Sequence, residues 1–419
     1  MAIRLSDHQQ SIVDAVLSGQ NVLFTGPAGV GKSTVVHAIQ QALSDKAVKY
    51  ETLAFTGKAA EQIKGRTICS FAFKDLGRGT VKNYVKMWKA NKWAKRQWTT
   101  TKVILIDEIS MVGLQLFEKF EAVARGVLGR PATPFGGIQI VACGDFFQLP
   151  PIDDQFCFHS TVFCCTFPFL SELVTVYRQK GDPQFLEGLH DMRVNVMNDK
   201  TFRMLQSRVG LLPPADYPAI RIYPKNMDVD HYNFYQLKAL SGPDSCFDHE
   251  WLPSASNPEW LNMKLYNRMI KNGPFEKTLR VKAGAFVRYT FNTKSLNKCN
   301  GSMGIIQKFD PATGYPIVRF ADGDTCLVSP IQVKSADESC SMIQVPLKLA
   351  WAATVHRLQG AQVDAAVIDL GPNVFEFGQG YTAVSRVISL QGLYLLALDR
   401  DSIVPHPEVV DFVATYPRR

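Results

Sequence analysis

NVLFTGPAGVGKSTVVHAIQQAL, residues 21–43, decides the fold. Val22, Leu23 and Phe24 form the short apolar run that a strand buried on both faces needs. Val35, Val36, Ile39 and Leu43 then recur at helical spacing. Between them, Gly26–Ser33 fits G-x-x-x-x-G-K-[ST] in the strand–loop–helix context that the pattern requires. The glycines let backbone amides wrap a phosphate, and the helix that follows adds a favourable dipole. The expected phosphate-binding set is Gly26, Pro27, Ala28, Gly29, Val30, Gly31, Lys32, Ser33 and Thr34. Lys32 is placed to reach the β- and γ-phosphates of ATP, and Ser33 to ligate Mg2+. An ordinary glycine turn is the bland alternative, and it leaves the strand and helix around the loop unexplained.

A second strand, VILIDEIS, starts at Val103. Its apolar residues push Asp107 and Glu108 out at the carboxyl end, where open α/β sheets bind ligands. Asp107 is the candidate Mg2+ ligand, and Glu108 the candidate general base for an attacking water. Acidic pairs after apolar strands also serve as helix caps, but here the pair follows a phosphate loop in the expected chain order. A third strand, IQIVACGD, ends in CGDFFQLPP, residues 143–151. Pro150 and Pro151 stop any further strand or helix. That ending delivers Asp145 and Gln148 to the same edge, where Gln148 can hydrogen-bond a phosphate oxygen or the attacking water. Phe146 and Phe147 are expected to pack rather than stack on a base.

The 419 residues are enough for two to four domains, with 46% apolar and 20% charged residues. No apolar run approaches a membrane span, and the N-terminus lacks a charged-then-apolar signal pattern. Nine cysteines without a C-x-x-C pair argue against a disulfide framework or a zinc site. Lysine and arginine exceed aspartate and glutamate by 46 to 38. That mild excess suits a nucleic-acid partner without requiring one. The local asymmetry is sharper: residues 76–106 hold no acidic residue, while Lys82, Lys86, Lys89, Lys92 and Lys95 alternate with Tyr84, Trp88, Trp93 and Trp98. Two readings are open. One is a solvated basic helix with aromatics packed inward; the other is a phosphate-contacting element with rings free to stack on bases.

The second half carries AAVIDL and LYLLAL, each after a polar, glycine-containing segment, which reads as a second α/β sheet without a phosphate loop. Arg386, just before VISL, is placed to reach the nucleotide of the first sheet and stabilise charge on a transferring phosphoryl group. From Val281 to Val333, short β-rich runs separated by turn signals suggest a small antiparallel barrel. Pro213-Pro214 and residues 242–258 read as loops.

Taken together, GPAGVGKS, IDEISMV, PFGGIQIVACGDFFQLPPI, VYRQKGD, NGSMGII, QVPLKLAWAATVHRLQGAQVD and GQGYTAVSR resemble the Pif-type (petite integration frequency) DNA helicases, the superfamily-one group that includes RecD and Dda. The resemblance runs from Leu5 to Asp399, and the stretch from Pro134 to Ile152 is its most specific part. It implies that Gln9 reads adenine and that Lys32, Ser33, Asp107, Glu108 and Gln148 serve ATP and Mg2+. It further implies that Arg178 and Arg386 are the arginines of the second motor lobe, with Gly360 beside the nucleotide. Thr56, Gly57, Thr67, Ser70 and Phe71 match single-stranded DNA contacts, and Thr354, His356 and Gln359 the motif coupling DNA to the nucleotide cleft. Lys58, Cys69 and Leu358 depart from the residues usual at their positions.

The expected architecture is α/β, with two RecA-like parallel-sheet lobes. The first spans 1–71 and 99–170 and carries a basic wedge at 72–98. The second spans 171–275 and 341–419 and carries an SH3-like β-barrel at 276–340. The implied activity is ATP-dependent 5′–3′ translocation on single-stranded DNA with duplex unwinding, in replication, repair, recombination or telomere maintenance. The alternatives are a RecD-like subunit of a nuclease complex and a nucleic-acid-binding scaffold without ATPase activity. Single-stranded and forked DNA are the expected partners, of a monomer able to assemble on DNA, in the nucleus, a mitochondrion or a viral replication site. With motifs beginning at Leu5, little room for a targeting extension and a minimal form are expected.

Overall fold

The computed structural model describes residues 5–73, 77–175, 182–194, 197–214, 219–272, 276–291, 293, 296, 298, 300–335 and 339–418. The chain divides into two compact units, Met1–Pro224 with Val355–Arg419, and Lys225–Thr354.

In the first unit, α1 (Asp7–Leu17) starts at a reciprocal cap between Ser6 and Gln9. It leads into β1 (Val22–Thr25), buried at every position, and α2 (Lys32–Asp45). Then come β2 (Tyr50–Ala54), α3 (Gly57–Gln62), β3 (Arg66–Thr67) and α4 (Ile68–Ala72). Helices α5 (Val81–Ala90) and α6 (Lys92–Thr100) precede β4 (Val103–Asp107). They are followed by α7 (Leu114–Leu128), β5 (Gln139–Gly144), α8 (Thr161–Thr166), β6 (Leu170–Glu172) and α9 (Pro183–Val194). The strands form one six-stranded parallel sheet in the order β3-β2-β4-β5-β1-β6. Phe24, Val35, Val36, Ile39, Leu43 and Leu105 build the core between this sheet and its helices. Register sets Thr25 against Gly144 and Ile106 against Ala142, so the residues after β1, β4 and β5 emerge on one edge.

A second parallel set joins β7 (Ile220–Tyr223), Ala366–Leu370 and Leu393–Leu398, as the second-half sequence pattern suggests. The helix Gln379–Val384 lies between the last two strands in the chain. The helix Pro407–Thr415 brings Phe412 against Phe146 and Phe158, so Phe146 is a packing residue.

Of the rings in the basic aromatic segment, those of Tyr84, Trp88 and Trp98 pack inward, while the side chain of Trp93 lies outside the described residues. Tyr84, Trp88 and Trp98 are buried, with Trp98 4.7 Å from Phe71 and 6.1 Å from Phe120 between ring centroids. The Trp88 indole donates to the Ala72 carbonyl at 2.6 Å. Lys82, Lys86, Lys89, Lys92 and Lys95 stay exposed.

In the second unit, Thr325–Leu327, Pro316–Phe320, Met303–Phe309, Phe286–Tyr289 and Leu347–Leu349 form an antiparallel sheet in that order. Val287, Tyr289, Ile306, Val318 and Leu347 make its core. The sequence suggests loop throughout residues 242–258, and the structure corrects this with two short strands. Ser245–Asp248 pairs with Thr278–Val281, and Glu250–Leu252 with Ser341–Gln344. Both segments are three or four residues long and largely exposed, so neither carries the apolar alternation that marks a strand.

Candidate phosphate-binding site

The loop Gly26–Ser33 closes over the end of β1. A Cβ on Gly26 would stand 2.5 Å from the Leu173 carbonyl oxygen, so only glycine fits where the loop passes under the chain after β6. The Lys32 ammonium donates to the carbonyls of Gly26 (2.7 Å) and Pro27 (3.0 Å) and so lies across the loop mouth. Ser33 and Thr34 follow in the first turn of α2. The buried Gln9 side chain accepts from the Ser6 N–H at 3.0 Å and donates to the Val30 carbonyl at 3.1 Å, tying α1 to the loop.

Asp107 ends β4. One of its oxygens accepts from the Glu108 N–H at 2.8 Å and from the Cys143 thiol at 3.0 Å. Burial raises its pKa, against the pull of those hydrogen bonds and of the Lys32 charge. Glu108 takes a left-handed backbone, φ 53°, and its Oε2 is buried without a hydrogen-bond partner among the described residues. Burial, and then the Asp107 charge, push its carboxyl up to about 7 against the pull of Lys32 and Arg386. A carboxyl poised there suits a general base.

Gln148 is buried, and its Oε1 accepts from Arg386 Nη2 at 3.2 Å. Arg386 also donates to the Thr382 carbonyl (3.0 Å), the Ser385 hydroxyl (2.8 Å) and the Ala361 carbonyl (3.4 Å). Burial lowers its pKa, with Glu108, Tyr381 and Asp145 acting in the opposite sense. Residues from the far end of the sequence thus meet the first sheet at the edge where β1, β4 and β5 end.

Asp145 does not face this cluster with a free oxygen. Its Oδ1 accepts from Arg193 Nε at 3.0 Å and its Oδ2 from the Tyr381 hydroxyl at 2.8 Å. Arg193 also pairs with Glu172 at 2.9 Å and lies 4.5 Å over the Phe147 ring, which fixes Phe147 as packing. Sequence reasoning misses this set. Arg193 is a lone arginine in an unremarkable helix, and Tyr381 sits inside the longer GQGYTAVSR motif with no signal of its own.

The other site residues are spread more widely. Thr56 caps α3 by accepting from the Ala59 N–H, with Gly57 opening that helix. Thr67 caps α4 by accepting from the Ser70 N–H, and the Ser70 hydroxyl returns to the Thr67 carbonyl at 2.8 Å. Phe71, expected to touch DNA, is fully buried beneath Trp98 and Phe120, and its ring has no open face for a base. The Gly360 carbonyl accepts from Gln62 Nε2 at 2.8 Å, and Gly360 lies near Glu108 Oε1. Gln359 is buried, with both amide atoms unpartnered among the described residues. His356 titrates below its usual range because it is partly buried. Thr354 is buried at the end of the strand Ala352–Thr354, in the second unit. Arg178 lies outside the described residues.

A family model described as PIF1-like helicase matches residues 4–165. An ATP-dependent DNA helicase PIF1 from Xenopus laevis is 35% identical over 421 residues, covering 98% of this chain and 64% of that protein. The chain therefore spans just under two thirds of that relative's length. The crystal structure of Pif1 helicase from Candida albicans is similar with a TM-score of 0.87 at 33% identity, covering 99% of each chain. A Pif1 helicase from Bacteroides, crystallised with ADP-AlF3 and ssDNA, is similar with a TM-score of 0.78 at 25% identity, over 99% of this chain and 98% of that one. With the glycine loop, the Asp107–Glu108 pair and Gln148 on one sheet edge, Arg386 brought to it from the connection between two strands of a second parallel set, and the likeness to the Candida albicans Pif1 helicase over 99% of each chain, the chain belongs to the PIF1-like helicase family.

Proposed function

We propose that this chain is an ATP-driven motor that translocates 5′ to 3′ on single-stranded DNA and unwinds duplexes. The observation that carries the reading is the meeting of Lys32, Asp107, Glu108, Gln148 and Arg386 around the loop Gly26–Ser33. The naming of relatives as ATP-dependent DNA helicases, and the Bacteroides complex with ADP-AlF3 and ssDNA, support it. Polarity rests on the family resemblance alone.

The residues fit the implied ligands. Ser33 and Asp107 offer hard oxygen donors beside the phosphate loop, which suits Mg2+. A cation held there would neutralise charge on the phosphate oxygens. Glu108 Oε2, unpartnered among the described residues, is the natural acceptor for a proton of the attacking water. Gln148 and Arg386 would hold the transferring group, and Gln9 the adenine edge. Arg178 would be the second arginine, and Gly360 would border the nucleotide.

Thr56, Gly57, Thr67, Ser70, Thr354, His356 and Gln359 would grip the single strand, with Phe71 packed behind α4 rather than on a base. Residues 72–98 would act as the strand-separating wedge, their exposed lysines on backbone phosphates, and 276–340 as a barrel that helps clamp the DNA. Forked DNA in a DNA-containing compartment is then the natural partner of a monomer. ATP hydrolysis with and without single-stranded DNA, on wild type and Lys32→Ala, tests the reading. DNA-stimulated turnover that falls by at least about a hundredfold in the variant is expected. Turnover unchanged by Lys32→Ala would refute the motor, and preferential unwinding from a 3′ tail would refute the polarity.

A further inference from the structure

Tyr381 lies on the helix Gln379–Val384, five residues before Arg386. Its hydroxyl has two partners. It donates to Asp145 Oδ2 at 2.8 Å and accepts from the Ala28 N–H at 3.4 Å. The direction is fixed, because an ionised carboxylate only accepts and an amide N–H only donates. Asp145 stays ionised: the Arg193 and Lys32 charges and the Tyr381 hydrogen bond outweigh burial and hold it below its usual range. The phenol therefore links the phosphate loop to the hub formed by Asp145, Arg193 and Glu172.

The helix that carries Tyr381 rests on CGDFFQLPP itself. Gly378, at φ +69°, precedes it, and a Cβ there would stand 2.6 Å from the Phe147 carbonyl oxygen and 2.5 Å from that of Gln148. The same helix carries Thr382, whose carbonyl accepts from Arg386 Nε. Loop, hub, Gln148 and Arg386 are thus joined through one short helix, and the Tyr381 hydroxyl bonds that helix directly to the loop backbone.

The geometry assigns Tyr381 as a positioning residue: through Ala28 and Asp145 it holds the phosphate loop in register with Gln148 and Arg386, so that both meet the transferring phosphoryl group. This rests on the ATPase reading. A hydrogen bond that aligns charged groups matters most in the transition state, so its removal should lower kcat and leave nucleotide binding alone.

The test compares wild type, Tyr381→Phe, Asp145→Asn and the double variant, with saturating single-stranded DNA. Tyr381→Phe keeps the ring volume and removes only the hydroxyl. It should lower kcat about tenfold with KM within about twofold. ADP affinity should hold, while affinity for ADP with aluminium fluoride falls about tenfold. The double variant should be no worse than Asp145→Asn, because both changes break one connection. Equal losses of ADP and ADP–aluminium fluoride affinity, or additive losses in the double variant, would mark a merely structural role and overturn the assignment. If Asp145→Asn does not fold, the Tyr381→Phe contrast between the two ligands decides alone. Wild type that hydrolyses ATP beside an unaffected Tyr381→Phe overturns this inference only; wild type without hydrolysis overturns the ATPase reading with it.

Discussion

Glu108 and Asp145 each stand one residue past the end of neighbouring strands, β4 and β5, yet their surroundings give the two carboxyls opposite properties. Glu108 is buried, with one oxygen unpartnered among the described residues, and lies beside the Asp107 charge, and burial and that charge favour its neutral form. Asp145 is buried more completely but has both oxygens engaged by Arg193 and Tyr381, which favours its anion. Burial alone therefore does not decide; the neighbouring charges do, with the hydrogen-bond donors behind them. The depressed pKa of Asp145 makes its contribution to folding complete above its ordinary 3.8 and lost as the pH falls through its lower native value. Asp145→Ala leaves the Arg193 guanidinium buried with half its pairing. It should cost about 3–5 kcal/mol in chemical denaturation at pH 7. The penalty should shrink below pH 3.8, and one that stays constant from pH 7 to pH 3 would contradict the pairing.

At the scale of elements, legibility follows how local the signal is. The run from β1 through the loop to α2 is readable because its apolar periods and its glycines all lie within 23 residues, 21–43. The same holds for the alternating strands Phe286–Tyr289 and Pro316–Phe320, whose buried positions recur every second residue. The strands Ser245–Asp248 and Glu250–Leu252 are not readable, since their stabilising feature is pairing with segments far along the chain. Arg193 is invisible for a related reason: its partner Asp145 is 48 residues away. Helices α5 and α6 fall between these cases. Composition leaves two roles for their rings, and packing assigns Tyr84, Trp88 and Trp98 to the core while keeping the lysines in solvent. The two populations should therefore separate by mutation. Trp98→Ala should cost about 3–5 kcal/mol of stability. Lys86→Ala with Lys89→Ala should change stability by no more than about 0.5 kcal/mol. The lysine pair should instead weaken DNA binding and reduce its log–log salt slope by about one for each phosphate no longer neutralised. An unchanged slope would remove α5 from the DNA surface.

For the molecule as a whole, the defining feature is that an arginine from the connection between two strands of the second parallel set is brought to Gln148, just past the end of β5 in the first. Arg386 is separated from the loop by more than three hundred residues, and its guanidinium is buried and bonded to Gln148. Such a burial is costly: desolvation lowers its pKa, and the opposing pull of Glu108, Tyr381 and Asp145 offsets that only in part. A fold selected for stability alone has little reason to keep a cation there, whereas a site that must stabilise charge on a phosphoryl group does. Stability and turnover should accordingly respond in different ways to Arg386→Met. The methionine fills much of the same volume, removes the desolvation cost and gives up the hydrogen bonds to Gln148 and the Thr382 carbonyl. Its melting temperature should stay within about 4 °C of wild type. Its kcat for ATP should fall by about 10³-fold or more, as when an arginine is removed from a phosphoryl-transfer site. Single-stranded DNA binding, followed by fluorescence anisotropy, should persist while unwinding stops, because the step that fails is hydrolysis rather than grip. A variant that melts far below wild type yet retains turnover within about tenfold would show Arg386 to be a structural cation, and the completion of the site by the second sheet would have to be abandoned.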